Sequence, residues 1–294
     1  MLQYNRGGIM KEFQLDIIRF IQQAMSPILD RLVEGITMLG EEEFLIIAIA
    51  FIYLVLNKKF GQKIVYIMLT SMTLNTVVKN LVQAPRPIGE PGVITIRAET
   101  AGGYSFPSGH TQNISTFLGG VMNKVKKSWF TILSIVSIIL VAVSRLYLGV
   151  HYPIDVIIGA GLGITIALVG SYIFDLYSKH QMLILMTASV FLPFAIYFGI
   201  RGDVLSGDFF RSYGLLLGFL AAIAFEERFV NFSLQIPHWK KAIRFVLGVA
   251  LLLGLQLGLK LLFPDYFIFH MLRYFLIAFI GLGIYPFLFH HFRF

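Results

Sequence analysis

The stretch "HYPIDVIIGAGLGITIALVGSYIFDL", residues 151–176, settles the architecture, because between 156 and 174 it carries no charged side chain. A helix rises about 1.5 Å per residue, so a run of this length crosses a hydrocarbon core of about 30 Å. The composition of all 294 residues agrees: 57% are hydrophobic and 14% charged, with a mean hydropathy of +0.77. Soluble domains carry roughly a quarter of their residues as charges. The fold class expected is all-α, a polytopic membrane helical bundle.

On either side of that stretch the pattern repeats. Apolar runs at 44–56, 64–82, 111–122, 129–148, 182–200, 212–225, 242–263 and 267–289 bring the expected number of spans to about nine. Those at 44–56 and 111–122 are short. Ahead of them, residues 13–39 mix Asp16, Arg19, Asp30, Arg31 and Glu34 into apolar positions, which suits an amphipathic helix lying in the interface. The division expected is an interfacial segment over 1–40, a core over 41–178, and a four-helix membrane extension over 179–294 whose role the sequence does not reveal. The phenylalanines of the last spans are expected to face lipid.

Charge gives orientation. With no cysteine, disulfides and thiolate metal sites are excluded. A net charge of +8 in a membrane protein reflects basic loops beside anionic lipid, so lipids rather than nucleic acid are the expected partners. Oligomeric state is not legible. Alternation of spans gathers Lys58, Lys59, Lys63, Lys124, Lys126, Lys127, Lys240 and Lys241 on one side, which by the positive-inside rule is cytoplasmic.

Three polar clusters fall on the opposite side. "KNLVQAPRP" (79–87) ends one span with Lys79 and Arg86. "YSFPSGHTQN" (104–113) contains Ser108, Gly109 and His110. "SRLYLGVHYPID" (144–155) holds Arg145, His151 and Asp155. Three permanent cations form an anion clamp, and the planar fork of Arg matches phosphate oxygens. Gly109 admits close backbone approach, while a helix starting near Thr111 aims free N–H groups at the same place. His151 and Asp155 are four apart at a helix start with Pro153 in its first turn, so the carboxylate can hold one imidazole nitrogen and sharpen the other as a nucleophile. His110 is the candidate acid. Alone, each element has an ordinary reading: a snorkelling lysine, a Pro-Ser-Gly turn, an interfacial histidine. Their convergence on one membrane face is what those readings do not explain.

These clusters resemble the signatures K-x6-RP, PSGH and SR-x5-H-x3-D of the type-2 phosphatidic acid phosphatases, or lipid phosphate phosphatases, a family that shares its helical core and site with vanadium haloperoxidases. Lys79 to Pro87, Pro107 to His110 and Ser144 to Asp155 match at every defined position. The resemblance implies that His151, oriented by Asp155, attacks phosphorus to give a phosphohistidine. It implies that His110 protonates the departing oxygen, and that Lys79, Arg86, Ser108, Gly109 and Arg145 bind the phosphoryl oxygens. It requires no metal or cofactor. A site at the mouth of membrane helices is reached laterally by lipids, so the expected substrate is a lipid phosphate or diphosphate: polyprenyl diphosphate, phosphatidic acid, phosphatidylglycerophosphate or a sphingoid-base phosphate. A lipid phosphotransferase using the same site and a lipid-phosphate transporter are the alternatives. Acceptor-dependent phosphate release marks the first, and transport that survives loss of His151 marks the second.

Weaker signals remain. Glu41, Glu42 and Glu43 open the first span, where an interfacial charge run or headgroup steering both fit. Lys260, His270 and Arg273 fall on the same side as the clusters and suggest a secondary headgroup site, against snorkelling as the ordinary reading.

Overall fold

The computed structural model describes residues 2–177, 182–202 and 206–291. Among them seven helices are long and apolar enough to cross a membrane: Lys58–Val82, Ser128–Tyr147, Pro153–Tyr177, Ile184–Arg201, Gly207–Val230, His238–Leu262 and Phe267–Phe289. The protein is an integral, multi-pass membrane protein. The two short runs behind the expected nine are helices α3 (Glu42–Phe51) and α5 (Gly109–Val125), of 10 and 17 residues. The segment expected as one interfacial helix is two, α1 (Leu2–Gln22) and α2 (Pro27–Thr37). Proline at the first helical position and the Ser26 hydroxyl accepting from Leu29 N at 3.4 Å start the second helix afresh.

Packing divides the chain into two units, one formed by Met1–Leu45 with Val78–Ala167 and the other by Ile46–Val77 with Leu168–Phe294. The first contains α1, α2, the C-terminal end of α4 (Lys58–Val82), α5, α6 (Ser128–Tyr147) and most of α7 (Pro153–Tyr177). Helix α6 is turned inside out relative to a soluble helix. Ser134, Ile138, Val141 and Arg145, one stripe at helical spacing, are buried, while Trp129, Ile132, Ile135, Val136 and Ile139 are exposed. Those apolar side chains face the bilayer.

Helix α5 lies inside this unit. Thr111, Gln112, Asn113, Ser115 and Thr116 are all buried, which explains why the run at 111–122 reads as short: it needs no lipid-facing side. Small residues let α7 approach it. A Cβ on Gly159 would stand 2.7 Å from Ser108 O, and one on Gly163 2.5 Å from Gln112 O. This small-xxx-small stripe brings the two backbones together and sets the start of α5 beside the start of α7.

In the second unit α8 (Met182–Arg201) packs on α9 (Gly207–Phe225), and the unit is built around α9 and α11 (Phe267–Phe279). Cβ atoms on Gly214 and Gly218 would lie 2.3 Å from Met271 O and 2.3 Å from Phe275 O, the same close-packing device. At one end of this unit the fully buried Glu226 accepts from Lys58 Nζ at 2.9 Å, Phe232 N at 3.1 Å and Gln62 Nε2 at 3.3 Å. The phenylalanines expected to face lipid are partly interior: Phe198, Phe209, Phe210 and Phe219 are buried, and the first three pack against one another or on Tyr213. Aromatic rings fill the space between helices here, a use that a hydropathy pattern does not distinguish from lipid exposure.

Candidate active site

The turn between α6 and α7 carries His151, and its backbone is tied on several sides. Gly149 adopts φ +66°, and a Cβ there would fall 2.2 Å from Ile94 O, so both conformation and space demand glycine. Gln22, buried at the end of α1, donates to Ile94 O at 2.6 Å and Tyr147 O at 2.8 Å and accepts from Ile94 N at 3.0 Å. Ile96 N donates to Leu148 O at 3.1 Å. The loop at 92–96 is thus laced to the turn through one amide side chain.

Asp155 is the hub beneath the histidine. Its Oδ2 accepts from Ser105 Oγ at 2.5 Å and Tyr152 N at 2.8 Å and lies 3.3 Å from His151 Nδ1. Its carbonyl accepts from Ser108 N at 3.0 Å, which fastens the Pro-Ser-Gly-His turn to α7. Both His151 and Asp155 are 1% exposed.

On the other side of the ring, Arg86 NH1 stands 3.0 Å from His151 Nε2. A guanidinium only donates, so Nε2 accepts and the imidazole proton sits on Nδ1, toward Asp155. Burial first, then the charges of Arg86, Arg145 and Lys79, hold His151 well below the usual histidine range. The ring is neutral with its Nε2 lone pair directed away from the carboxylate, which is the form a nucleophile needs.

Arg86 does more than the motif suggests. It bonds the carbonyls of Gly102, Gly103, Tyr104 and Val150 at 2.8, 3.1, 3.2 and 2.9 Å. With the His151 contact, all five of its N–H donors are engaged. Arg86 therefore shapes the loop that precedes Ser105. Burial pushes it down to about 10, with Asp155 opposing, so it remains charged at pH 7.

Arg145 contrasts with it. The side chain is 0% exposed, and NH1 donates to Thr37 Oγ1 at 2.9 Å. Its Nε and NH2 are buried without a hydrogen-bond partner. A buried cation with idle donors is costly unless an anion meets it. Lys79 adds a further positive charge felt by His110, His151 and Asp155.

His110 stands in the first turn of α5. Its Nε2 lies 3.9 Å from Glu41 Oε1, an ion-pair separation beyond hydrogen-bond length. Burial pushes this ring down to about 4, with Glu41 pulling upward and Arg145 and Lys79 downward. An arriving phosphate anion pulls in the same direction as Glu41 and favours the charged imidazolium.

All eight residues singled out from the motifs lie in the first unit. The secondary set divides. In the second unit His270 and Arg273 are buried together, Arg273 NH2 lying 3.4 Å from His270 Nδ1 and Asp265 2.9 Å from His270 Nε2. Lys260 is exposed at the end of α10 (His238–Leu262) and, among the described residues, has no bond to either. Motif reasoning does not reach Ser105, Gln22 or Thr37. Ser105 lies within the quoted run 104–113, which is a signal for it; the other two are single polar residues whose partners are distant in sequence.

Residues 60–179 match the PAP2 superfamily, and residues 210–294 match the PAP2 superfamily phosphatase transmembrane extension. Among curated relatives, Phosphatidylglycerophosphatase B of Bacillus subtilis is 32% identical over 152 residues, covering 47% of this chain and 71% of that protein. Undecaprenyl-diphosphatase of Sulfolobus acidocaldarius is 29% identical over 51% of this chain and 73% of its own length. Lipid A 4'-phosphatase of Porphyromonas gingivalis is 26% identical over 76% of this chain and 97% of its own length.

Proposed function

The chain belongs to the PAP2 superfamily and is a membrane phosphatase acting on lipid phosphates, and on that premise we propose that it works through a phosphohistidine on His151. The observation that carries this reading is Arg145, wholly buried with two guanidinium nitrogens unpartnered while its charge bears on both histidines. A phosphoryl group is the anion whose oxygens suit that fork.

In the first step Nε2 of His151 forms a bond to phosphorus as the bond from phosphorus to the lipid oxygen breaks. Arg86 NH1, aimed at Nε2, passes to a phosphoryl oxygen as the nitrogen lone pair is used. Lys79, Arg145, the Ser108 hydroxyl and the Gly109 backbone N–H take the remaining oxygens, and Asp155 stabilises the charge that grows on the ring. His110 delivers its proton to the departing oxygen. In the second step His110 removes a proton from water, whose oxygen attacks phosphorus and displaces Nε2. Phosphoryl transfer depends on positioning and charge neutralisation, which this cationic set supplies.

The substrate class is a phosphate or diphosphate on an apolar tail, presented at the non-cytoplasmic face. Polyprenyl diphosphate, phosphatidic acid, phosphatidylglycerophosphate and sphingoid-base phosphates fit it. The long match to a lipid A 4'-phosphatase adds phosphorylated glycolipids. The experiment is phosphate release by purified protein in detergent across that panel, for wild type and His151→Ala. Release that prefers lipid over small soluble esters and vanishes in the variant supports the reading; near wild-type release by His151→Ala overturns it.

A further inference from the structure

The segment joining α2 to α3 lies outside all three motifs and outside residues 60–179, yet it rests on two motif residues. Thr37 Oγ1 accepts from Arg145 NH1 at 2.9 Å. A Cβ on Gly40 would meet the His110 carbonyl oxygen at 2.7 Å and the His110 Cβ at 3.1 Å, so the backbone at 40 is seated directly on the histidine. The next residue carries Glu41 Oε1 to 3.9 Å from His110 Nε2, and Arg97 NH1 pairs with that same oxygen as an ion pair at 3.0 Å, although neither Glu41 Oε1 nor His110 Nε2 has a hydrogen-bond partner. Both partners are largely shielded, with side-chain exposures of 17% for His110 and 16% for Glu41.

The other charged and titratable groups facing His110 are Arg145 from α6, Lys79 from α4 and His151 from the α6–α7 turn. The two cations oppose a proton on His110, and Glu41 favours it. Glu41 itself is held below the usual carboxylate range, by His110 first and then by Arg97, so it is charged at neutral pH.

We propose that Thr37, Gly40 and Glu41 form a fourth wall of the active site, in which Glu41 is the positioning residue of His110. The carboxylate, at ion-pair distance from Nε2, favours the imidazolium and draws the Nε2 proton toward itself, which leaves Nδ1 to give the proton to the departing oxygen. Arg97 keeps the carboxylate in place. Glu41 thereby does for the acid what Asp155 does for the nucleophile. This inference rests on His110 being the acid.

The test compares kcat/KM for dodecyl phosphate, whose alkoxide needs a proton to leave, with kcat/KM for 4-nitrophenyl phosphate, whose phenolate does not. Because kcat/KM ends at the first irreversible step, it isolates phosphoenzyme formation. Glu41→Gln loses about 10- to 100-fold on the alkyl ester and less than about 3-fold on the aryl ester, the scale on which orienting partners act. Its alkaline limb moves to lower pH, since the carboxylate that raised the pKa of His110 is gone, while Glu41→Asp keeps the charge and most of the limb. Activity on the aryl ester also reports that each variant is folded. Equal losses on both esters with an unmoved limb, or no loss on either, overturn the role of Glu41. His110→Asn separates the premise: selective loss on the alkyl ester supports it, and equal loss on both esters removes the acid assignment and this inference with it.

Discussion

Replacing Asp155 by Asn isolates charge from geometry. An amide oxygen placed where Oδ2 stands keeps an acceptor for Ser105 Oγ, Tyr152 N and His151 Nδ1, which now converge there at 2.5, 2.8 and 3.3 Å. The fold of the turn is therefore retained. What disappears is the negative charge beside a ring that becomes cationic when Nε2 bonds phosphorus. Coulomb's law across 3.3 Å, at an effective dielectric of about 20, gives about 5 kcal/mol for a full unit charge. A transition state with part of that charge developed loses about 3–5 kcal/mol, or roughly 10²- to 10⁴-fold at about 1.4 kcal/mol per decade. The assay is kcat/KM with 4-nitrophenyl phosphate, which needs no acid and reads nucleophilic attack alone, beside thermal unfolding in detergent to confirm an intact fold. A loss below tenfold with an unchanged unfolding midpoint would refute the electrostatic role given to Asp155.

Arg145→Lys retains a charge and gives up the planar fork that bonds Thr37 while two other nitrogens stay free; one charged hydrogen bond lost at about 1.5–3 kcal/mol lowers kcat/KM about 10- to 150-fold, and kinetics within about 3-fold of wild type would contradict it. Gly149→Ala must place a Cβ 2.2 Å from Ile94 O at a positive φ, costing about 3 kcal/mol from left-handed strain and overpacking together, read as a lower unfolding midpoint with impaired turnover. In the second unit, Glu226→Gln leaves Lys58 without its carboxylate and costs about 3–5 kcal/mol, the scale for breaking a buried pair; an unfolding midpoint unchanged within a degree would show that the pair contributes nothing.

Much of the membrane architecture is legible because hydropathy records which side chains meet lipid. Helix α6 displays Trp129, Ile132 and Ile135 outward, and its apolar run is unmistakable. Helix α5 is wrapped by protein, so Gln112, Asn113 and Thr116 replace apolar residues and the same measure undercounts it. The motif residues reach one unit as their order along the spans implies. The division of labour between the two arginines is not legible: Arg86 spends its donors on carbonyls of the loop and Arg145 keeps two idle. Both are arginines beside the end of a span, and only the path of the loop at 102–104 separates them. Gln22 and Thr37 are hidden for a similar reason, since a buried amide or hydroxyl announces itself through its partners. Glu41 opens the glutamate run read as an interfacial charge run or a headgroup-steering one, Gly40 precedes it, and the contact with His110 is what singles them out.

A covalent phosphoryl group on Nε2 of His151 underlies every step proposed, and a rapid-quench experiment tests it most directly. Purified protein is mixed with a lipid phosphate radiolabelled on phosphorus, quenched within milliseconds into strong base, which preserves phosphohistidine, then digested and mapped by mass spectrometry. The label is expected on the peptide bearing His151, removed by mild acid and absent from His151→Ala, with more of it accumulating in His110→Asn supplied with a labelled aryl phosphate because water is no longer activated. Label on another residue, or full turnover with none detected at any quench time, would contradict the phosphohistidine.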